Sequence, residues 1–509
     1  MNQSNSQSPN KSPSEPPSCL LDDARYSKAI GFLCDRINYE KLASGTARYP
    51  FRIHRTGALL KKLGLSGYLA DQVSRPLVPI VHIAGTKGKG STSTMVASIL
   101  TAAGFRTGLY TSPHLIDLEE RFRIDGNPCS RLELAELTER IAPVAKELAD
   151  EDQGVPSFFE LTTAAALLHF HTQKCDAIVL EVGLGGRLDS TNVCMSSVTA
   201  ITSIGLDHQH VLGNTLAEIA GEKAGIIKSG VPVVSGVRSV GGDTVPISRD
   251  AAAVIATKAT EANAPLIQLG RDFDFKSVPD ADWGSRLDFQ TLKECPSPTT
   301  SDATRLGDVE LKLDGDHQAH NASLAIQIVA QLRSDRDGSP LLKISDQAIR
   351  SGLKNVKCPG RIERFRLPGD VTVIVDAAHN DDSVNALCRC LDQRKGDRSL
   401  AIVFGTSQDK SAESMLQRLA PRADLLVLTQ YAGNPRFRPT KDLLPMVPQA
   451  AIRKTIVGAT PIEACRSGLE FVRESMGGDS TFVGGTMVVC GSFFLAAETR
   501  SWIESQSIG

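Results

Sequence analysis

The feature that most constrains this chain is a seven-residue loop, Gly85-Thr86-Lys87-Gly88-Lys89-Gly90-Ser91. An apolar, β-branched stretch, Leu77 to Ala84, precedes it, and a helical run from Thr92 to Ala103 follows, with Gly104 as the expected cap. Strand, glycine-rich turn and helix in that order make a phosphate cradle. The glycines let backbone N–H groups turn inward around phosphate oxygens, and the helix start adds a favourable dipole. On this reading Lys89 reaches the β/γ-phosphates and Ser91 offers its hydroxyl to Mg²⁺. The alternative is a Gly/Lys-rich surface turn, which the flanking strand and helix argue against. The spacing departs from the common GxxxxGK[ST] form, because Gly90 separates Lys89 from Ser91.

A chain of 509 residues is too long for one hydrophobic core, so two or three domains are expected. A net charge of −2 marks no nucleic-acid or anionic-membrane partner. No apolar run reaches the ~20 residues that span a bilayer; Met487 to Ala497 comes nearest. Met1 to Pro17 is rich in Ser, Asn, Pro and Gln, lacks a secretory pattern and reads as a disordered tail. The 11 cysteines show no metal-ligand rhythm, which fits reduced thiols in the cytoplasm.

Short β-branched runs alternate with helical patterns, which predicts parallel α/β architecture. Ala177 to Val182 and Val198 to Ile204 are continuously apolar, as strands covered on both faces should be. Val240 to Asp308 is less regular and reads as strands and loops at the edge of the first domain. A linker is expected at Lys354 to Gly360. Strands at Val371–Val375, Leu400–Phe404, Leu425–Leu428 and Thr486–Cys490 would build a second α/β unit. The expected division is a tail at 1–20, a first domain at 21–355 and a second at 356–509, with the ligand site in the cleft between them.

Three further motifs carry chemistry. Glu181 closes an apolar strand in Glu181-Val182-Gly183-Leu184-Gly185-Gly186-Arg187-Leu188-Asp189, where α/β sheets bind ligands. Beside a phosphate loop, one carboxylate suffices for Mg²⁺, which keeps part of its water shell. His208 follows the next apolar strand in Ser203-Ile204-Gly205-Leu206-Asp207-His208. A strand-end histidine is more often structural than a Mg²⁺ ligand. By default Gly221 to Lys228 is a helix end with its charges, Lys223 included, in water.

Taken together, the blocks resemble the folylpolyglutamate synthase and dihydrofolate synthase family of the Mur-ligase superfamily, whose phosphate loop has the same GTKGKGS form. IAGTKGKGSTSTMVASIL, GLYTSPHL, FFELTTAAA, VLEVGLGGRLDSTNV, ITSIGLDH, LGNTLAEIAGEKAGIIKSGVPVV, PGRIE, DAAHN and CGSFFLA fall in the family's order, from about Gly57 to Arg500. The resemblance implies a P-loop ATPase-like Mur-ligase central domain followed by a Rossmann-like α/β domain. It implies that Gly85 and the run Lys87, Gly88, Lys89 and Gly90 hold ATP. Ser91, Glu181 and His208 would surround Mg²⁺, and Lys223 would be carbamylated. Two divalent cations repel an ammonium and welcome an anion, so that modification makes physical sense. Arg361 and Asp376 would contact the nucleotide from the second domain, with Asn321 on the adenine side. His379 would lie near the incoming glutamate, and Phe159, Asp189 and Ser190 at the folate.

The implied activity is ATP-dependent addition of L-glutamate to dihydropteroate or tetrahydrofolate through an acyl phosphate, by a cytoplasmic monomer. Departures from the family are Ala377 in place of the glycine of DGAHN, Asp189-Ser190-Thr191-Asn192 in place of DATN, and Asp409-Lys410-Ser411 in place of DKD. The rivals are a ligase of UDP-muramyl substrates, a nucleotide switch that consumes no amino acid, and a catalytically dead binding protein.

Overall fold

The computed structural model describes residues 18–37, 53–151, 154–239, 248–280, 283–292, 305–333, 341–394, 396, 398–476 and 483–507. The tail reading up to Pro17 lies outside these; from Ser18 the backbone is helical.

Three sheets organise the chain. The first has eight strands: β1 (Ile80–Ala84), β2 (Thr107–Tyr110), β3 (Phe122–Ile124), β4 (Asn127–Pro128), β5 (Ala177–Glu181), β6 (Val198–Ile201), β7 (Val233–Ser235) and β8 (Leu266–Gln268). Their order is β4-β3-β2-β5-β1-β6-β7-β8. The six strands from β2 to β8 in that order run parallel, and β3 and β4 return antiparallel. Register places Ile83 beside Glu181 and Ala84 beside Ile201, so the loop after β1 emerges between the ends of β5 and β6. Both faces of this sheet are covered by helices, which is why β1, β5 and β6 are buried along their whole length.

The stretch read as irregular is more ordered than its composition suggests. Within it lie a helix, Arg249–Glu261, the edge strand β8 and a three-stranded antiparallel sheet of β9 (Phe273–Pro279), β10 (Ser285–Thr291) and β11 (Arg305–Leu311). Phe273, Phe275, Leu287, Phe289, Leu306 and Val309 join the core beneath the phosphate-loop helix. Alternating apolar and polar residues in β10 carry that burial, and the Gly, Pro and Ser content of the connections hid it.

The chain passes to the third sheet between Asn355 and Glu363. Its strands are β12 (Glu363–Leu367), β13 (Val371–Val375), β14 (Arg398–Phe404), β15 (Leu425–Leu428), β16 (Thr455–Val457) and β17 (Gly484–Cys490), in the order β12-β13-β17-β14-β15-β16. All pairs are parallel except β12 with β13. The antiparallel edge strand β12 was not anticipated, because its alternating Arg364, Phe365, Arg366 and Leu367 follow directly on a Pro-Gly break. The strand ends bearing Glu181, Asp376 and Ser492 all open on one cleft, at the C-terminal edges where α/β sheets bind ligands.

Candidate active site

The phosphate-loop helix runs Lys89–Ala102, starting three residues before the position expected. Gly88 turns the chain into it with a left-handed φ of +83°, and Thr92 N–H already bonds to its carbonyl at 2.9 Å. A Cβ on Gly88 would stand 2.2 Å from Asn321 Oδ1, so only glycine fits there. Asn321, on the Asp316–Arg333 helix, is thereby fixed against the phosphate loop, and its amide bonds to Gln318 Oε1 at 3.1 Å.

The loop is laced to the segment after β6. Thr86 N–H bonds to Ser203 O (2.8 Å), Thr86 Oγ1 to Gly205 O (3.2 Å), and Lys87 N–H to Ser203 Oγ (2.9 Å). Thr202 Oγ1 donates to Lys87 O at 2.6 Å. The Lys87 ammonium pairs with Asp207 at 2.8 Å, and the pair holds Asp207 low, near about 2, against the opposing effect of its burial. His208 comes next, left-handed at φ +50° with its side chain 54% exposed. Burial and the nearby Lys89, Lys223 and Lys87 push its pKa down, an effect Asp207 opposes, and so favour the neutral ring.

Glu181 is buried, with a carboxylate oxygen 3.4 Å from where a Cβ on Gly90 would lie. Burial raises its pKa to about 6, while Lys89, the Ser112 N–H at 3.0 Å, Arg361 and Arg121 pull the other way. Ser91, also buried, lies against the thiol of Cys358 at 3.8 Å.

Lys223 overturns the default reading of its motif. It ends the Leu216–Ala224 helix as expected, but it is only 4% exposed and donates to Gly85 O at 3.0 Å. Lys89 donates to the same oxygen at 3.1 Å. Burial first, then the Lys89 charge, lower the Lys223 pKa to about 7. Lys228 is no surface charge either; it bonds to Asn192 O and Oδ1 at 2.7 and 2.6 Å. A helix-end lysine is exposed by default, and only the tertiary packing closes over this one.

The second domain forms the opposite wall. Asp376 accepts from Ile362 N–H and Ala378 N–H, each at 2.7 Å. Ala377 needs no positive φ, so the departure from DGAHN leaves this turn unstrained. The Arg361 guanidinium lies 5.6 Å from the Phe493 ring. His379 Nδ1 donates to Ala377 O at 2.8 Å, which makes Nε2 the acceptor of a neutral ring. Burial holds that ring's pKa near about 4.

The site residues that the resemblance implied line one cleft of about 2180 Å³, except Gly85, which opens the loop, and Lys223, which is bonded to it from beneath. In the same cleft the Phe159 ring covers Gly183, where a Cβ would come within 2.4 Å of it. Asp189 is occupied with its own turn. One oxygen accepts from Thr191 N–H and Oγ1, the other from Gly183 and Leu184 N–H at 3.1 and 3.0 Å. Arg121, bonded to His114 at 2.9 Å, and Arg436 also line the cleft and were not singled out, and Lys410, noted only within Asp409-Lys410-Ser411, does so too. Lone basic residues carry no periodic signal that would have found them.

Known proteins match this architecture. Residues 83–329 fit the Mur ligase middle domain and residues 360–488 the Mur ligase glutamate ligase domain. The chain is 37% identical over 366 residues to the dihydrofolate synthase/folylpolyglutamate synthase of Bacillus subtilis, covering 71% of this chain and 78% of that one. A Mycobacterium tuberculosis folylpolyglutamate synthase complexed with ADP superposes with a TM-score of 0.77 at 29% identity, covering 95% and 99% of the two chains. Escherichia coli FolC in complex with DHPP and ADP gives 0.72 at 26%, covering 94% and 98%. The chain therefore belongs to the folylpolyglutamate synthase family of Mur ligases.

Proposed function

We propose that this protein uses ATP to activate a folate carboxylate and joins it to the amine of L-glutamate. The observation that carries this reading is the cleft itself: a phosphate loop on one wall faces Arg361, Asp376 and His379 on the other. A carboxylate is a poor electrophile. Transfer of the γ-phosphoryl group to it gives an acyl phosphate, which the glutamate amine attacks, releasing phosphate and leaving an amide. Relatives complexed with ADP and with DHPP and ADP support this reading.

The loop amides around Gly88 and Gly90 receive the phosphates, and Lys87 and Lys89 exchange Asp207 and Gly85 O for phosphate oxygens. Arg361 stabilises charge on the phosphoryl group, as a planar cation suits it. Asp376 holds the backbone of Ile362 and Ala378 and so fixes Arg361 and His379. The Nε2 lone pair of His379 orients the incoming amine. Phe159 offers an aromatic face to the folate ring, Asp189 shapes the turn beneath it, Ser190 adds a hydroxyl, and Asn321 borders the nucleotide.

Among the described residues no three His, Cys, Asp or Glu side chains are grouped to enclose a metal. Mg²⁺ needs no such cage, since phosphates and water complete its shell. Ser91, Glu181 and His208 fit it: a buried carboxylate that burial disfavours as an anion gains from a dication beside it. When bound, Mg²⁺ neutralises charge on the triphosphate. Two lysines converging on one carbonyl repel each other, which favours loss of the Lys223 charge and its conversion to a carbamate.

The reading places the enzyme in the cytoplasm as a monomer, with no nucleic-acid or membrane partner. Nine described cysteines are free thiols, and no helix of the described residues is long and apolar enough to cross a membrane. The test is purified protein with ATP, Mg²⁺ and labelled glutamate, given dihydropteroate or tetrahydrofolate separately. Label should enter the folate product with matching ADP release. Equal ADP release without glutamate would refute ligation, and turnover only with a UDP-muramyl acid would move the enzyme to another branch.

A further inference from the structure

Groups on the second domain act on the nucleotide only if the two domains meet at the right angle. A knot of side chains away from the cleft connects the parts that must align. Trp283, two residues before β10, packs against the core of the second domain. There the Trp283 ring meets two guanidinium groups, with Arg364 Cζ at 5.6 Å and Arg394 Cζ at 5.4 Å from its centroid. Arg394 also donates to Asp280 O and, at 2.8 Å, to Gly284 O. It pairs with Asp314 at 3.3 Å, the two side chains only 9% and 1% exposed. Asp314 accepts from Gly284 N–H at 3.2 Å, and Arg364 donates to Lys312 O at 3.1 Å.

Each partner is close in sequence or structure to a cleft residue. Arg364 lies on β12, three residues after Arg361. Arg394 ends the Asp381–Arg394 helix, which begins two residues after His379. Asp314 stands two residues before the Asp316–Arg333 helix, which holds Asn321 against the phosphate loop. Trp283 and Gly284 are held in an unusual conformation. Trp283 is left-handed at φ +70°, which a bulky residue avoids, and a Cβ on Gly284 would lie 2.5 Å from Leu311 O. A residue held against its own backbone preference is placed by its contacts, and here those contacts are with the other domain.

We propose that Trp283, Arg394 and Asp314 form the pivot that sets the angle between the two domains, making them positioning residues for Arg361 and Asp376. The proposal rests on the ligase reading for its kinetic consequence. Trp283→Ala should lower kcat by about tenfold or more, because misplacing reacting groups slightly is costly. Affinity for an ATP analogue, held mainly by the first domain, should change by less than about threefold. Trp283→Phe, which keeps an aromatic face, should restore most of the loss. Small-angle scattering of the nucleotide-bound Ala variant should show a wider range of domain separation than the wild type. If Trp283→Ala does not fold, Arg394→Lys carries the same test, since it keeps the charge and loses the guanidinium fork.

A folded variant with unchanged kcat and unchanged scattering overturns the proposal, as does a lower melting temperature with normal kcat well below it. If the wild type shows no glutamate-dependent ADP release, the ligase reading fails, and the scattering comparison alone then decides the pivot.

Discussion

The two walls of the cleft are built differently. In the first domain the phosphate loop is laced to its neighbours by hydrogen bonds from Thr86, Lys87, Thr202 and Ser203, and Lys223 is sealed beneath it. In the second, Arg361 stands on the turn before β12 and Asp376 and His379 on the turn after β13, and their distance from the loop depends on how the domains meet. A wall that is complete within one domain can bind nucleotide by itself. A wall that must be brought across can be reserved for the transition state, where stabilisation raises kcat and not only affinity.

That contrast can be broken by experiment. Lys223→Ala should cost the most: about a thousandfold in turnover, with ATP-analogue affinity kept within a few-fold, read by ADP release and calorimetry. Unchanged turnover would remove Lys223 from the chemistry. Arg361→Ala should lower kcat about a hundredfold while sparing nucleotide affinity; equal losses in both would show that the second wall binds the ground state as well.

The pH profile separates the walls further. A carbamate forms from the neutral amine, and the Lys223 pKa is lowered to about 7. Below that value the ammonium predominates, so turnover should fall on the acid side, about tenfold for one unit. Added bicarbonate should recover part of it, while Lys223→Ala should respond to neither. Asp207→Asn should have the smallest effect, a few-fold change in ATP affinity, because Lys87 exchanges an exposed ion pair for phosphate.

Legibility followed the range of the interactions. The GTKGKGS loop, the ends of β1, β5 and β6, and four strands of the third sheet could be read because glycine placement and apolar runs are local signals. The β9–β11 sheet was less clear, since its burial depends on packing beneath the Lys89–Ala102 helix, which is remote from it in the chain. The resemblance implied that Asp189 touches the folate; in the structure it lines the cleft, and its oxygens serve Thr191, Gly183 and Leu184. Identity suggested a contact; hydrogen bonding gave it a positioning task.

By itself the sequence determined the parallel α/β plan, the phosphate loop and the family, because each is written in short runs whose backbone preferences are fixed locally. Only the tertiary structure decided that Lys223 is buried beside Lys89, that Arg361 acts on Glu181, and that Trp283 joins the domains. Charge states and distances between segments remote in the chain are set by desolvation and packing, and these exist only once the chain has closed on itself.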